Sequence, residues 1–222
     1  MTWLQNNWSW VVELTLQHLA LAVPAIVASV ALAVPLGRLA HRRPRLRQSV
    51  LGLASVLYAI PALPLLIVIP VVFGIPLRSP LTLVIALTLY GTALLVGTAT
   101  DAFVAVDEGV RESARAMGYS RRAMFWRVDL PLSVPVLLSG IRVVTVSTVS
   151  LVTIGALVGI SSLGTLLTDG FQRGITSEVV TGVVVTMALA LLLDGTLLAV
   201  GRALTPWQGR RRSHTVTEEV AL

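Results

Sequence analysis

The chain has 222 residues and a net charge of +6; 55% of its residues are hydrophobic and 13% are charged. Soluble domains carry charged residues at roughly a quarter of the total, so this composition excludes an ordinary soluble domain. Cysteine is absent and all seventeen basic residues are arginine, which excludes disulfides, thiolate catalysis, Cys-ligated metals, Schiff-base lysines and the lysine of an ATP-hydrolysing P-loop.

The N-terminal third begins with tryptophans and then becomes apolar and basic. Trp3, Trp8 and Trp10 precede any arginine and suit a membrane boundary outside the cytoplasm. No clear signal-peptide pattern accompanies them, so we expect the start to be uncleaved. The first span is predicted at 16–36. Segment 38–47 follows with five arginines, and so basic a loop favours the cytoplasmic side.

The second predicted span, 50–73, is rich in proline. Tyr58 is followed by Pro61, Pro64 and Pro70, and these prolines leave carbonyl groups without helical partners. Such carbonyls are tolerated in a membrane only against protein or a wet cavity. The pattern therefore has two interpretations: Tyr58, Pro61 and Pro64 line a pathway, or the helix is merely bent and packed on its neighbours.

Three further spans are predicted at 81–100, 136–159 and 179–200. The fourth contains Arg142 and the fifth contains Asp194, and ionisable residues inside spans normally face protein or water and find a partner. Both positions are a few turns from the same membrane face. We therefore expect them to pair, within one subunit or across a dimer; the alternative for Arg142 is snorkelling to headgroups.

A polar segment, 107–135, separates the third and fourth predicted spans. Asp107 and Ser120 are suited to cap two short helices, and Gly118 is suited to the left-handed turn after the first. Pro131 is expected to end the second helix, since it lacks an N–H.

The first of these short helices is predicted to be amphipathic. Its apolar face would carry Val110, Ala114 and Met117, which are spaced at i, i+4 and i+7. The wet side is predicted to carry two i,i+3 ion pairs, Glu108 with Arg111 and Glu112 with Arg115.

The distribution of arginine predicts the orientation. Fourteen arginines lie in the segments assigned to the cytoplasm, including the tail at 202–222, and two, Arg78 and Arg173, lie in the outer loops. This asymmetry favours five spans with the N-terminus outside and the C-terminus inside. It also explains the positive charge without nucleic acid. The expected fold is therefore a single all-α, polytopic membrane domain covering residues 1–222.

The polar segment resembles a known family. Glu112-Ser113-Ala114, Gly118 and Val128-Asp129-Leu130-Pro131 match the spacing of the "EAA" loop in membrane subunits of binding-protein-dependent ABC importers, with Ser113 and Val128 as mild departures. The resemblance implies the type I importer permease fold, with coupling helices between spans 3 and 4. The alternative is an ordinary basic amphipathic loop on the inner leaflet.

The resemblance also implies that this chain works together with other subunits. Two copies of a cytoplasmic ATPase subunit, a second permease subunit and an extracytoplasmic binding protein would work with this chain in the cytoplasmic membrane, and no metal or cofactor is expected. The chain would be a transport subunit without its own ATPase motif. The residues expected to couple it to the ATPase are Glu112, Ala114, Met117, Gly118, Tyr119, Phe125, Leu130 and Pro131.

The region from Leu130 through Pro135 to Arg142 looks most like permeases for osmoprotectants such as glycine betaine, carnitine, choline or proline betaine. Methionine importer permeases are the nearest alternative. A secondary carrier or channel is a second class, but it would want paired intramembrane carboxylates and only Asp194 is present. A membrane enzyme is disfavoured because the three histidines are scattered.

Overall fold

The computed structural model describes residues 2–206, and every regular element within that range is helical. The all-α prediction is therefore confirmed. The predicted tail continues beyond this range, so Arg210, Arg211 and Arg212 lie outside the described residues. The helices in chain order are α1 (Thr2–Asn6), α2 (Trp8–Arg42), α3 (Pro44–Ala59), α4 (Ala62–Phe73), α5 (Pro80–Val104), α6 (Glu108–Ala116), α7 (Arg121–Met124), α8 (Leu130–Val152), α9 (Gly164–Gln172) and α10 (Thr176–Leu204).

Among residues 2–206, four helical units are long and apolar enough to cross a membrane. They are α2 with 35 residues, α5 with 25, the continuous unit Arg121–Val158 with 38 and α10 with 29. Even α5 would reach about 37 Å at ~1.5 Å per residue, against a hydrocarbon core of about 30 Å. The bent pair α3 and α4 brings the number of spans to five if it is counted as one.

The second predicted span is not a single helix. Helices α3 and α4 meet at 106°, and the break falls at Ile60 and Pro61, whose backbones are extended (ψ 124° and 143°). A proline disfavours the helical conformation of the residue before it, which explains why the break lies there. The second predicted span, 50–73, therefore consists of two helices joined by a sharp break and is not one bent helix.

The basic segment 38–47 is not a loop either. Helix α2 continues to Arg42, and α3 begins at Pro44, so only Arg43 separates them. Pro44 occupies the first turn of α3, where a missing N–H costs nothing. The arginines of this segment therefore project from two helix ends, close to the polar segment of the chain.

Helices α2, α5 and α8 form the centre of the bundle, and small residues let them approach closely. A Cβ on Gly37 of α2 would lie 2.7 Å from the Cβ of Ala99 and 2.8 Å from the backbone of α5. A Cβ on Gly140 of α8 would lie 2.8 Å from Leu95 and Thr98 of the same helix α5. Helices in membranes associate through such small-residue contacts.

Candidate functional site

The polar segment folds into the two capped turns that its sequence predicts. Asp107 accepts a hydrogen bond from the backbone N–H of Val110 at 3.1 Å, at the start of α6. Gly118 follows α6 with φ of +82°, and the next N–H, from Tyr119, returns to the carbonyl of Ala114 at 3.1 Å. Ser120 caps α7 through the N–H of Ala123. Both predicted caps and the glycine turn are confirmed.

The second short helix does not end at Pro131. After α7 the chain forms a π-helical turn over Phe125–Asp129, in which Leu130 donates to the carbonyl of Phe125, and then continues directly into α8. The wider turn shifts the hydrogen-bond register, so Pro131 falls in the first turn of α8, where no donor is required. One continuous helix therefore runs from the polar segment into the fourth span.

Arg111 is not on the wet side of α6. It is 6% exposed, and its guanidinium donates to Asp129 at 2.9 Å, to Glu108 at 3.0 Å and to the carbonyl of Phe103 at 2.6 Å. Burial disfavours the charged guanidinium, but the bonds to Asp129 and Glu108 outweigh it and raise the pKa of Arg111.

Only one of the two predicted ion pairs on α6 is formed. Glu108 pairs with Arg111, and its second oxygen accepts from Arg115 at 2.9 Å. Among the described residues Arg115 therefore pairs with Glu108, not with Glu112, because Glu108 lies within reach of both arginines. The hydrogen bond from Arg111 is the main cause that holds the pKa of the Glu108 carboxyl below its usual range; partial burial opposes it and Arg115 adds to it.

The predicted coupling residues divide into an outward and an inward set. Glu112, Met117 and Gly118 are exposed, Met117 at 69%. Ala114 is buried against Met124 and Val128, and Tyr119 packs at the edge of the same cluster. Of the three residues of the predicted apolar face, Val110 is 44% exposed and Met117 is also exposed, whereas Ala114 is buried.

The remaining predicted residues, Phe125, Leu130 and Pro131, are half-buried. The ring of Phe125 lies 6.3 Å from that of Phe103 and 3.5 Å beneath the guanidinium of Arg38, so a cation–π contact joins the end of α2 to the π turn. Sequence reasoning missed this contact, together with Asp129 as the partner of Arg111. It also missed Trp126, which is exposed. The position of this large aromatic residue within the polar segment was the sequence feature that could have indicated it.

Arg142 and Asp194 come together in the structure. Two nitrogens of Arg142 donate to the two carboxylate oxygens of Asp194 at 2.7 and 2.6 Å, in a bidentate pair that joins α8 to α10 within one chain. This geometry adds direction and energy to the charge attraction.

Tyr58, Pro61 and Pro64 do not gather around that pair. The Tyr58 ring lies 5.0 Å from the ring of Tyr90, and the carbonyls of Tyr58 and Ile60 lie 3.1 and 3.2 Å from the Tyr90 hydroxyl. The two carbonyls at the break share the single proton of that hydroxyl. Pro61 and Pro64 are exposed. Within residues 2–206 no cluster of three metal-ligating side chains occurs.

Comparison with known proteins gives consistent results. A family model described as the binding-protein-dependent transport system inner membrane component matches residues 21–210. The osmoprotectant import permease protein OsmW of Salmonella typhimurium is 31% identical over 207 residues, which are 90% of this chain and 94% of that protein. The carnitine transport permease protein OpuCB of Listeria monocytogenes is 29% identical over 209 residues, or 93% of each chain.

A solved structure shares the fold. The inward-facing MetNI methionine ABC transporter superposes with a TM-score of 0.78 at 22% identity, over 88% of this chain and 96% of that chain. At this identity the likeness shows the fold alone. That fold is the type I ABC importer permease fold predicted from the polar segment.

Proposed function

The chain belongs to the family of binding-protein-dependent transport system inner membrane components, the membrane subunits of ABC importers, and on this premise we propose that it imports an osmoprotectant such as glycine betaine, carnitine or choline. It is a multi-pass inner membrane protein and a transport subunit. The observation that carries the substrate class is the near full-length likeness to OsmW and OpuCB, whose names specify osmoprotectant and carnitine.

The polar segment is the surface that contacts the ATPase subunit, and through it ATP acts on the permease. A separate ATPase subunit, in two copies, binds the exposed side of α6 and the turn after it. Glu112 makes polar contacts there, Met117 and Tyr119 enter a groove on the partner, and Gly118 sets the angle between α6 and α7. Support comes from the exposure of Glu112 and Met117 and from the positive φ of Gly118.

The inward coupling residues hold the shape of this contact. Ala114 packs α6 on the cluster of Met124 and Val128, and Leu130 and Pro131 begin the helix that carries movement into the bundle. Phe125 supports the segment from inside, under Arg38, and does not enter the partner. Because helix Arg121–Val158 is continuous, a displacement of α7 reaches the fourth span directly.

Transport follows by alternating access. Residues 1–222 form one permease domain, with the N-terminus outside and the C-terminus inside. Two such subunits, identical or sister, enclose the path, and closure of the ATPase pair opens the cavity to an external binding protein that delivers the substrate. Tyr58, Pro61 and Pro64, at the break between α3 and α4, line this path.

Reconstitution tests the proposal. The chain is co-expressed with its ATPase and binding protein, and uptake of radiolabelled glycine betaine, carnitine and choline into proteoliposomes is measured with ATP inside. We expect uptake that requires both ATP and binding protein. Uptake without nucleotide, as a carrier or channel would give, contradicts the proposal.

Methionine serves as the competing substrate. The solved methionine transporter supports the fold of this chain and not its cargo, because the sequences are 22% identical. We therefore expect no methionine uptake in the same proteoliposomes. Methionine uptake in place of betaine uptake would keep the ABC importer assignment and overturn the substrate class.

A further inference from the structure

Arg111 lies where three separate parts of the chain meet. Its acceptors are a side chain of its own helix α6 (Glu108), a side chain of the π turn (Asp129) and a backbone carbonyl in the last turn of α5 (Phe103). Each acceptor takes a different nitrogen of the same guanidinium. A planar fork with several donors is the side-chain chemistry that can serve acceptors in three directions at once.

The contact with α5 satisfies a group that the helix itself cannot satisfy. Phe103 is the penultimate residue of α5, and the last carbonyls of a helix have no intrahelical donor. They also form the negative end of the helix dipole, where a buried cation is favourable. Arg111 therefore caps α5 from a neighbouring helix, at 2.6 Å.

The surroundings keep this cap in place. Asp129 and Phe103 are 6% and 1% exposed, so the charged bonds lie in a low-dielectric site where they are strong and where a missing partner is costly. The His41 ring at the end of α2 lies 6.5 Å from the Phe103 ring. The end of α2 thus closes one side of the cluster.

Helix α6 has few other connections to the bundle. It packs chiefly on α7 and the π turn and has little contact with the long helices. Its backbone connection to α5 runs through 105–107, outside any helix. Besides this short backbone link, the guanidinium of Arg111 connects α6 directly to the end of α5.

We propose that Arg111 is a positioning residue for coupling: it clamps α6 to the end of α5 and, through Asp129, to the helix that enters the fourth span. A movement of α6 then displaces both spans together. This inference rests on the proposed function, since it presumes an ATPase that moves α6.

Arg111→Lys is the first test, with Arg47→Lys as its matched control. Lysine keeps the charge beside Asp129 but carries a single nitrogen, which cannot also serve Phe103 and Glu108. Arg47 of α3 also pairs with an aspartate, Asp101 of α5, at 3.4 Å, but it is 44% exposed and lies outside the polar segment. In proteoliposomes we expect Arg111→Lys to raise the ATP hydrolysed per betaine transported by roughly two- to thirty-fold, and Arg47→Lys to leave this ratio unchanged.

The ratio of ATP hydrolysed to betaine transported distinguishes a coupling defect from a folding defect, because a folding defect lowers assembly, hydrolysis and transport together. If Arg111→Lys fails to assemble, the double variant Arg111→Leu with Asp129→Leu removes both buried charges and is measured instead. Assembly with a raised ratio in either variant supports the clamp. A wild-type ratio in either variant overturns it, as does the failure of both to assemble, since the cluster would then serve folding alone. If the wild-type chain itself recruits no ATPase, it is the proposed function that fails.

Discussion

Gly118 adopts φ of +82°, and a Cβ placed there would meet nothing within 4 Å. A side chain at this position is therefore resisted by the backbone conformation and not by its neighbours. The left-handed conformation costs most residues about 1–2 kcal/mol, more for a β-branched one, whereas asparagine adopts it routinely.

We expect Gly118→Val to abolish or nearly abolish uptake while the protein still inserts, because α6 would leave the turn at another angle. Gly118→Asn is the matched variant and should retain most uptake. Uptake in cells and the amount of protein in membranes are measured together. Equal uptake by the valine and asparagine variants would remove the left-handed turn from the mechanism.

Glu108 gives the polar segment a pH dependence. Its pKa lies below the ordinary value of 4.5, mainly through the hydrogen bond from Arg111. A carboxyl with a lowered pKa contributes stability that is fully present above its unfolded value and is lost as pH falls through the lowered value. Glu108→Gln has no such titration.

The midpoint of thermal unfolding of purified protein should therefore be higher for the wild type than for Glu108→Gln at pH values above 4.5. The difference should shrink as pH falls further below that value. A difference independent of pH would show that the charge of Glu108 contributes nothing to the segment.

Among the elements, the contact of α2 with α5 depends on the absence of a side chain at Gly37. A Cβ there would lie 2.7–2.8 Å from Ala99 Cβ and from backbone atoms of α5, which cannot move aside. By contrast, a Cβ on Gly97 of α5 would meet no atom within 4 Å. The two glycines are therefore matched in type and opposite in environment.

We expect Gly37→Val to destabilise the protein by about 1–3 kcal/mol, the usual cost of overpacking. Gly97→Ala should be neutral or slightly stabilising, since alanine is the better helix former. The midpoint of thermal unfolding in detergent checks both. A neutral Gly37→Val variant would mean that α2 can separate from α5 without loss.

The ion pair of Arg142 and Asp194 is the polar connection between α8 and α10 that the sequence predicts. Asp194→Asn leaves a charged arginine within a span, which costs roughly 2.5–3.5 kcal/mol at the centre of a membrane. Exchanging the two residues, Arg142→Asp with Asp194→Arg, restores opposite charges and should recover much of this loss. The midpoint of thermal unfolding is measured for the double variant and for each of its two single variants. A double variant that is no more stable than either single variant contradicts the role of the pair.

At the scale of the whole molecule, the distribution of arginine predicts the orientation in the membrane. The chain contains no cysteine, so single introduced cysteines report unambiguously on the side of the membrane. Ser113 in α6 and Ser161 before α9 are both exposed. We expect Ser113→Cys to be labelled only from the cytoplasm and Ser161→Cys only from outside. The reverse pattern would place α6 where no ATPase can bind.

The sequence by itself determined the class of fold, the two helix caps, the glycine turn and the match to the importer family. These features are local: caps and left-handed turns depend on neighbouring residues, and a span depends on the length of an apolar run. The pairing of Arg142 with Asp194 was also predictable, because an intramembrane charge has few alternatives to a partner.

The tertiary structure alone decided what depends on residues distant in the chain. Arg111 has an ordinary i,i+3 partner, and its sequence position predicts a surface residue. In the structure it is buried, because it donates to Asp129 and to a carbonyl at the end of α5. Pro131 is suited to end a helix, yet a π turn just before it lets the helix continue. Both outcomes arise because the packing of other helices supplies hydrogen-bond partners and space that no local pattern of residues reveals.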